Sequence, residues 1–317
     1  MAYSQGGIIA AADYNTLVGT SPGGTINAIN TVWAAGSGSA GYGQTAVSQV
    51  SAAGTVTATQ WATLINTLNS ILTHQAGAGS GITAVVAGGK INHLSTLTTN
   101  VATAYTNRLT FNSNSAVVVG TNQTTAWTAA NAISTYTRSF GIRATFPSAD
   151  QARYFFNSGG RMKLNVSGTQ NASTTARTNA AIALCTNLGG VGLFGANTNA
   201  GRTGSGGTVN TNATTVGYYT ATYNSNVPVI SVTSTTAAYT TDTATITVKC
   251  NGTQGSNNDN GPSIDFWINL SSTSGANAGG YVFDDSLGIN VIRSIDLSFP
   301  ELSNLSNTWG AVTITAL

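Results

Sequence analysis

The sequence predicts an α+β protein, with a small helical N-terminal domain followed by an all-β, sandwich-like region that contains one inserted helix. Up to residue 105, apolar residues recur at helical spacing. From residue 106 on, short runs of alternating apolar and polar residues are separated by loops rich in Gly, Thr, Ser and Asn. Such spacing is typical of an antiparallel sandwich or barrel. We therefore predict a helical attachment domain over 1–105 and a β-rich, sandwich-like domain over 106–317.

The first 76 residues contain an internal repeat. An insertion at 18–25, with Pro22 at its centre, divides the first copy, whereas the second copy reads as one helix with a Thr57–Gln60 capping box. The matched pairs are Gly7 and Gly54, Ile9 and Val56, Ala11 and Ala58, Tyr14 and Trp61, Leu17 and Leu64, Ile26 and Ile65, Asn27 and Asn66, Ile29 and Leu68, Asn30 and Asn69, Val32 and Ile71, and Trp33 and Leu72. This repeat predicts two helical units that pack on each other.

Two glycine-rich segments interrupt the helical region. Residues 36–49 carry four glycines around Tyr42, but no buried strand precedes them and no Gly-Lys-Ser/Thr follows, so we interpret them as a flexible or extended connector and not a phosphate loop. A Gly/Ala/Ser linker follows at 76–81. The apolar spacing after it predicts either a third helix of the domain or a stalk between subunits, from Ile91, Leu94, Leu97, Val101 and Tyr105.

The stretch from Arg138 to Val166 is predicted to form strand, helix and strand. Alternating apolar residues predict the flanking strands, and Ser148 with Gln151 forms a capping box at the start of the inserted helix, 148–158. Phe155 and Phe156 fall on its apolar face, so we expect both to be buried against the sheet.

Short patterned runs predict the remaining strands. The candidates are 115–119, 136–146, 161–167, 180–186, 191–195, 216–223, 227–234, 243–249, 263–270, 288–299 and 311–316. The segments 169–179 and 196–215 consist almost entirely of Asn, Thr, Gly and Ser, which predicts long loops that carry contacts or move.

Charged residues make up only 6% of the chain, against roughly 25% in ordinary globular proteins. There is a single glutamate, Glu301, and the net charge of +2 is too small to favour nucleic-acid or membrane binding. A surface of Thr, Ser, Asn and Gly suits a subunit covered by neighbours in an assembly, and it argues against a cytosolic metabolic enzyme. With no secretion signal and no run of 18 apolar residues, we expect a product released by lysis or by a dedicated exporter.

The titratable residues give no clear catalytic pattern. A glycosidase needs two facing carboxylates, whereas the only adjacent acidic pair, Asp284 and Asp285, would point to opposite faces of a strand. The acidic residues are Asp13, Asp150, Asp242, Asp259, Asp265, Asp284, Asp285, Asp296 and Glu301. The two histidines, His74 and His93, lie in the helical region and are expected to cap or pack.

Three further groups of residues favour structural roles. The run from Asn257 to Gly261 lacks the first Asp and twelfth Glu of a calcium loop, so it is interpreted as a polar turn. Cys185 and Cys250 lie 65 positions apart without a CxxC and are interpreted as free buried thiols, with a disulfide left open. Six of the eleven basic residues, interpreted as an interface or a solvated face, are Arg108, Arg138, Arg143, Arg153, Arg161 and Lys163.

Several motifs resemble virion structural proteins of tailed phages, most closely those of cyanobacterial and marine phages. The central motif, FPSADQARYFFNSGGR at 146–161, is the most specific. The shorter ones are AADYN with Leu17, INTVW at 29–33, GYGQ at 41–44, TVTATQWATLINTL at 55–68, HQ at 74–75, and NTWGAVTI at 307–314 after an I-x-L-S-F-P strand. The resemblance implies a virion location, in tail, tail fibre or neck, and it supplies no catalytic, cofactor-binding or metal-binding residues.

The function expected from these patterns is that of a non-enzymatic virion structural protein that forms a homo-oligomer, with a homotrimer implied by the resemblance. Other virion proteins and a host cell-surface glycan are the expected partners, and no cofactor, nucleic acid or membrane is expected. A capsid decoration or head-fibre protein and a tail-associated polysaccharide-degrading enzyme are the alternatives. Residues 1–105 are expected to attach to the particle through Tyr14, Trp33 and Trp61, while the loops at 169–179 and 196–215 contact sugars.

Overall fold

The computed structural model describes residues 10–19, 28–89, 91, 93–130, 135–171, 174–257, 259–272 and 286–317. It confirms an α+β fold with a β-sandwich. The helices are α1 (Ala11–Val18), α2 (Ile29–Trp33), α3 (Ala58–Ala76), α4 (Leu94–Thr106), α5 (Ala149–Asn157) and α6 (Ala176–Leu188). Among these residues, no helix is long and apolar enough to cross a membrane.

Helices α1 to α4 surround a hydrophobic cluster of their own. The two repeat copies meet there, since the rings of Tyr14 and Trp61, which occupy equivalent positions, pack edge to face with centroids 5.5 Å apart. The first copy is divided into α1 and α2, while the second forms the continuous α3. Helix α4 packs on α2 and α3, so the third-helix alternative is right and the stalk is wrong.

Three asparagines of the helical unit hold extended chain beside the helices. The side-chain amide of Asn30 donates to the carbonyl of Val47 and its oxygen accepts from the amide of the same residue, both at 2.8 Å. Asn15 forms the same pair of bonds with Val50, at 2.7 and 2.8 Å. Asn69, the repeat partner of Asn30, accepts from the amide of Ser80 at 2.8 Å. The conserved spacing of the repeat therefore positions hydrogen bonds as well as apolar contacts.

The β region consists of two six-stranded sheets. Sheet I has the order β1-β11-β4-β5-β6, with β2 also paired to β11, and sheet II has the order β12-β3-β10-β9-β8-β7. The strands are β1 (Asn114–Val118), β2 (Gln123–Ala129), β3 (Tyr136–Thr145), β4 (Arg161–Gln170), β5 (Gly190–Phe194), β6 (Gly201–Arg202), β7 (Thr208–Asn212), β8 (Val227–Thr233), β9 (Thr243–Asn251), β10 (Ser263–Ser272), β11 (Leu287–Pro300) and β12 (Thr313–Ala316). Every pairing between these strands is antiparallel, and the inner faces form the main hydrophobic cluster.

Helix α5 carries the chain from β3 in sheet II to β4 in sheet I. Ser148 caps it by accepting from the amide of Gln151. Phe155 and Phe156 are fully buried, as predicted, and Phe156 stacks on Tyr218 with ring centroids 4.6 Å apart. The helix thus contributes aromatic side chains to the core shared by the two sheets, which differs from the predicted packing on a single sheet.

Several strand predictions are wrong. The segment 180–186 lies inside α6, so the β region holds a second helix in addition to the predicted one. Residues 216–223 form turns with a single β-bridge at Tyr223. The supposed loops contain regular structure: β4 and α6 occupy both ends of 169–179, and β6 and β7 lie within 196–215.

Candidate functional site

The glycine-rich connector is fixed against the β region by hydrogen bonds to its backbone carbonyls. Arg153 Nη1 donates to the carbonyl of Ala40 at 2.7 Å, and Asn157 Nδ2 donates to the carbonyls of Gly38 and Gly41 at 3.1 Å. The hydroxyl of Tyr219 donates to the Gly38 carbonyl at 2.6 Å. We call residues 37–44 the strap. It begins with a turn in which the amide of Ala40 donates to the carbonyl of Ser37, and the rest has no regular secondary structure. The bonds above hold it against the β region.

The other end of the strap meets the segment that follows β11. Gln44 exchanges two bonds of 2.9 Å with the backbone of Ser306, and Thr308 donates to the carbonyl of Tyr42 at 2.7 Å. Burial raises the pKa of the Tyr42 phenol well above its usual range, so it stays protonated. The contact between the helical unit and the β region therefore includes polar bonds to main chain on both sides, and Leu305 adds an apolar contact by entering the hydrophobic cluster of the helical unit.

His74 lies at the same junction, where its Nε2 is 3.0 Å from the carbonyl of Ser158. Burial lowers the pKa of His74, while the Ser158 carbonyl and the charge of Glu301 oppose that shift. The ring is therefore neutral at pH 7. His74 and Glu301 line a cavity of about 120 Å³ together with Thr73, Gly77, Asn112, Ser113, Ser303 and Asn304.

The acidic residues that the structure describes are used in local bonds. Asp265 pairs with Arg143 through contacts of 2.6 and 2.7 Å, and this pairing raises the pKa of the guanidinium. Asp296 accepts from the amides of Gly120 and Asn165. Asp150 pairs with Arg153 at 2.9 Å. None of these contacts brings two carboxylates to opposite sides of a cleft; Asp284 and Asp285 lie outside the described residues.

Of the remaining predictions on single residues, some are confirmed and one is wrong. Asp259 accepts from the amides of Gly255 and Gly261, which agrees with a polar turn. Cys185 and Cys250 are free and buried, as predicted, and burial raises the pKa of the Cys185 thiol to about 12. The anchor prediction is wrong for Tyr14 and Trp61, because both are buried in the core of the helical unit.

The basic residues are dispersed and form no single face. Arg153 is fully buried at the junction, and Arg108 Nε donates to the Ser39 carbonyl beside it at 2.9 Å. Arg138 and Arg143 lie on β3 of sheet II, whereas Arg161 and Lys163 lie on β4 of sheet I. The interpretation of one interface or one solvated face is therefore wrong.

The outer face of sheet II carries a regular array of short polar side chains. Successive residues of a strand point to opposite faces, so the odd-numbered positions of β3, β9 and β10 lie outside while their even-numbered neighbours fill the core. Cross-strand hydrogen bonds join Ser139 to Asn269 at 2.6 Å and Thr145 to Ser263 at 3.2 Å. These bonds fix the side chains of the face in position.

Trp267 lies at the centre of this array. It faces Gly141 on β3 and Thr247 on β9. A Cβ added to Gly141 would lie 2.6 Å from Cβ of Leu317 and 3.0 Å from Cη2 and Cζ3 of the indole, so Leu317 and the six-membered ring together cover that glycine. Sequence reasoning missed this residue, although the alternation of Asp265, Trp267 and Asn269 with apolar neighbours marked it as outward-facing.

The chain matches no family model, no curated protein and no solved structure. Within the described part of the chain, no cluster of three or more His, Cys, Asp and Glu residues could hold a metal ion. The sites that the structure offers are therefore the strap, the His74 cavity and the outer face of sheet II.

Proposed function

We propose that this chain is a non-catalytic structural subunit of a tailed-phage particle, located in the tail, tail fibre or neck and assembled as a homo-oligomer. The observation that carries the proposal is the scarcity of charge at the surface. Only eleven basic and nine acidic residues are present, and among those that the structure describes six are buried: Arg153, Arg177, Arg293, Asp242, Asp259 and Asp265. A subunit covered by neighbours has little need of surface charge, whereas an isolated soluble domain depends on it.

The β-sandwich supports the same proposal. Its outer strands expose apolar side chains at Val117, Val118 and Val119 on or next to β1, an edge of sheet I. Exposed edges without charge or proline favour association with further chains. A homotrimer is the assembly we expect, on the basis of the resemblance to phage virion proteins.

Light scattering on the purified chain tests the assembly. We expect a mass near three times 32.1 kDa that persists on dilution. A stable mass of one chain over a wide concentration range contradicts the proposal.

Mass spectrometry and immunogold labelling of purified phage particles test the location. Label on the tail or neck supports the proposal, whereas label on the head favours the decoration-protein alternative.

We propose that residues 1–105 attach to the particle, as the sequence predicted, through surface residues other than the buried Tyr14 and Trp61. The strap belongs to residues 1–105 and is bonded to the β region, so deleting residues 1–105 would also damage the fold. Single substitutions at exposed residues give a cleaner test. Val86 is 72% exposed in the helical unit and Val209 is 44% exposed on β7. We expect Val86→Asp to lower incorporation into particles and Val209→Asp to leave it unchanged; the opposite result reverses the orientation.

A further inference from the structure

We propose that the outer face of sheet II binds a neutral glycan, with Trp267 as the surface on which a sugar ring stacks. The inference adds a ligand class to the proposed function and rests on it only for the place where the glycan is met.

Among the described residues of this face, the indole is a large aromatic group surrounded mostly by short polar side chains, with the apolar side chain of Leu317 beside it at Gly141. Its neighbours on the face are Thr137, Ser139 and Gly141 on β3, and Thr245 and Thr247 on β9. A pyranose ring presents C–H groups on one face, which pack on an aromatic surface, and hydroxyls around its rim, which need hydrogen-bond partners. A half-buried indole surrounded by fixed polar groups offers both kinds of contact.

Two polar residues flank the indole along β10, and two donors lie beside them. Asp265 and Asn269 stand two positions before and after Trp267, about 6.8 Å away on either side in an extended strand. Asn269 accepts from Ser139 through Oδ1, which leaves its Nδ2 to donate. Arg143 uses Nε and Nη2 in its bonds to Asp265, which leaves Nη1 to donate, and its side chain is 30% exposed. This spacing suits the hydroxyls of a single ring seated on Trp267.

Two polar atoms beside the indole support the same assignment. Trp267 Nε1 and Thr247 Oγ belong to directly opposed residues, and neither has a hydrogen-bond partner among the residues that the structure describes. Thr247 is only 8% exposed. Unpaired buried polar groups are costly, and a ligand hydroxyl that enters as the covering side chains move aside would supply the missing bonds.

Charge and polarity favour a neutral glycan over a second copy of the chain. Arg143 and Asp265 cancel each other, so Lys249, opposite Asp265, is the main uncompensated charge of the face. A strongly anionic partner would find little attraction there. Interfaces between protein copies have an apolar core, whereas Trp267 and Leu317 are surrounded on this face by Thr, Ser and Asn.

A glycan array tests the proposal. The purified chain is applied to printed neutral and acidic oligosaccharides of bacterial surfaces, together with glucan, mannan and galactan oligomers. For each oligosaccharide that binds, the affinity is then measured by saturation-transfer NMR titration. We expect binding to at least one neutral oligosaccharide, a loss of about tenfold or more in Trp267→Ala, and partial retention in Trp267→Phe. Asn269→Ala should weaken binding without abolishing it.

Ile292→Ala is the matched control, because Ile292 is a half-buried apolar residue on the outer face of sheet I. It should bind like the parent chain. A blank array, binding only to acidic glycans, or equal binding by Trp267→Ala overturns the proposal. A change in oligomer mass in Trp267→Ala also overturns it, since the face would then be an interface between copies.

Particle incorporation of Trp267→Ala is measured separately. Normal incorporation of a parent chain that binds no glycan refutes only this inference. Glycan binding by a chain that is absent from particles refutes only the proposed function.

Discussion

The core of the sandwich and the junction with the helical unit are held together by different forces. In the core, apolar side chains of two sheets and of α5 and α6 pack in one continuous cluster. At the junction, the buried side chains of Arg153, Asn157 and His74 bond to backbone carbonyls of the opposite unit. The first contact depends on apolar area, whereas the second depends on a few directed bonds and a smaller apolar contact at Leu305.

This difference indicates which contact is weaker. Hydrogen bonds between buried groups contribute little net free energy, while every buried polar atom left unpaired costs about 1–3 kcal/mol. In the described residues at or near the junction, Arg153 Nε, Ser158 Oγ and Gln75 Oε1 have no partner. We therefore expect the strap to loosen before the sandwich unfolds.

Truncation in the sandwich core should have the largest effect. Phe156 is fully buried and touches Phe155, Phe194 and Tyr218, so Phe156→Ala should lower the free energy of unfolding by about 3–5 kcal/mol. Denaturant unfolding measures it, with the half-buried Phe111→Ala as a control that should cost less. A loss below about 1 kcal/mol for Phe156→Ala would show that α5 is not part of the core.

Removing a side chain from the junction should have a smaller and local effect. Asn157→Ala leaves the Gly41 carbonyl without its side-chain donor and removes one of the two donors to the Gly38 carbonyl, which should cost about 1–3 kcal/mol. Amide hydrogen exchange should accelerate in the strap and stay unchanged in β9 and β10. Asn165→Ala, which breaks a bond on the outer face of sheet I, is the control and should leave strap exchange unaltered. Uniform acceleration would show that strap and sandwich open together.

The two contacts also differ in how far the sequence predicts them. Alternating residues such as those from Phe140 to Phe146 predict strands well, because the pattern follows from burial of one face. The alternation misleads for 180–186, because alanine is the strongest helix former and is depleted in strands. The spacing of Ala180, Ala181, Leu184 and Leu188 with the Thr175 cap was the missed helix signal. The strap could not be predicted, since its bonds use backbone carbonyls that no residue type identifies. The alternation predicts that Trp267 points outward, but its neighbours Gly141 and Thr247 follow from the strand register, which the sequence does not predict.

The internal repeat provides a test within the helical unit. Asn30 and Asn69 occupy equivalent positions and hold extended chain in similar ways, but Asn30 is buried and Asn69 is half-buried. Asn30→Ala should therefore cost about 1–2 kcal/mol and Asn69→Ala less, because exposed groups regain water. Thermal unfolding of the two variants side by side measures the difference. Equal losses would mean that burial does not set the strength of these bonds.

The smallest effect should come from acid at the junction. The pKa of His74 is lowered below its usual 6.5, chiefly by burial, so the unfolded chain binds a proton more readily than the folded one. The stabilising contribution of neutral His74 is then fully present above about pH 6.5 and is lost as the pH falls through the lower pKa of the folded state. His74→Gln should flatten the dependence of the melting temperature on pH between about 5 and 7. Glu301→Gln should steepen it, because the charge of Glu301 favours the protonated ring and its loss lowers the pKa of His74 further. Faster exchange of the strap in acid, absent in His74→Gln, would place the effect at the junction; an unchanged pH profile in both variants would show that His74 does not titrate against the fold.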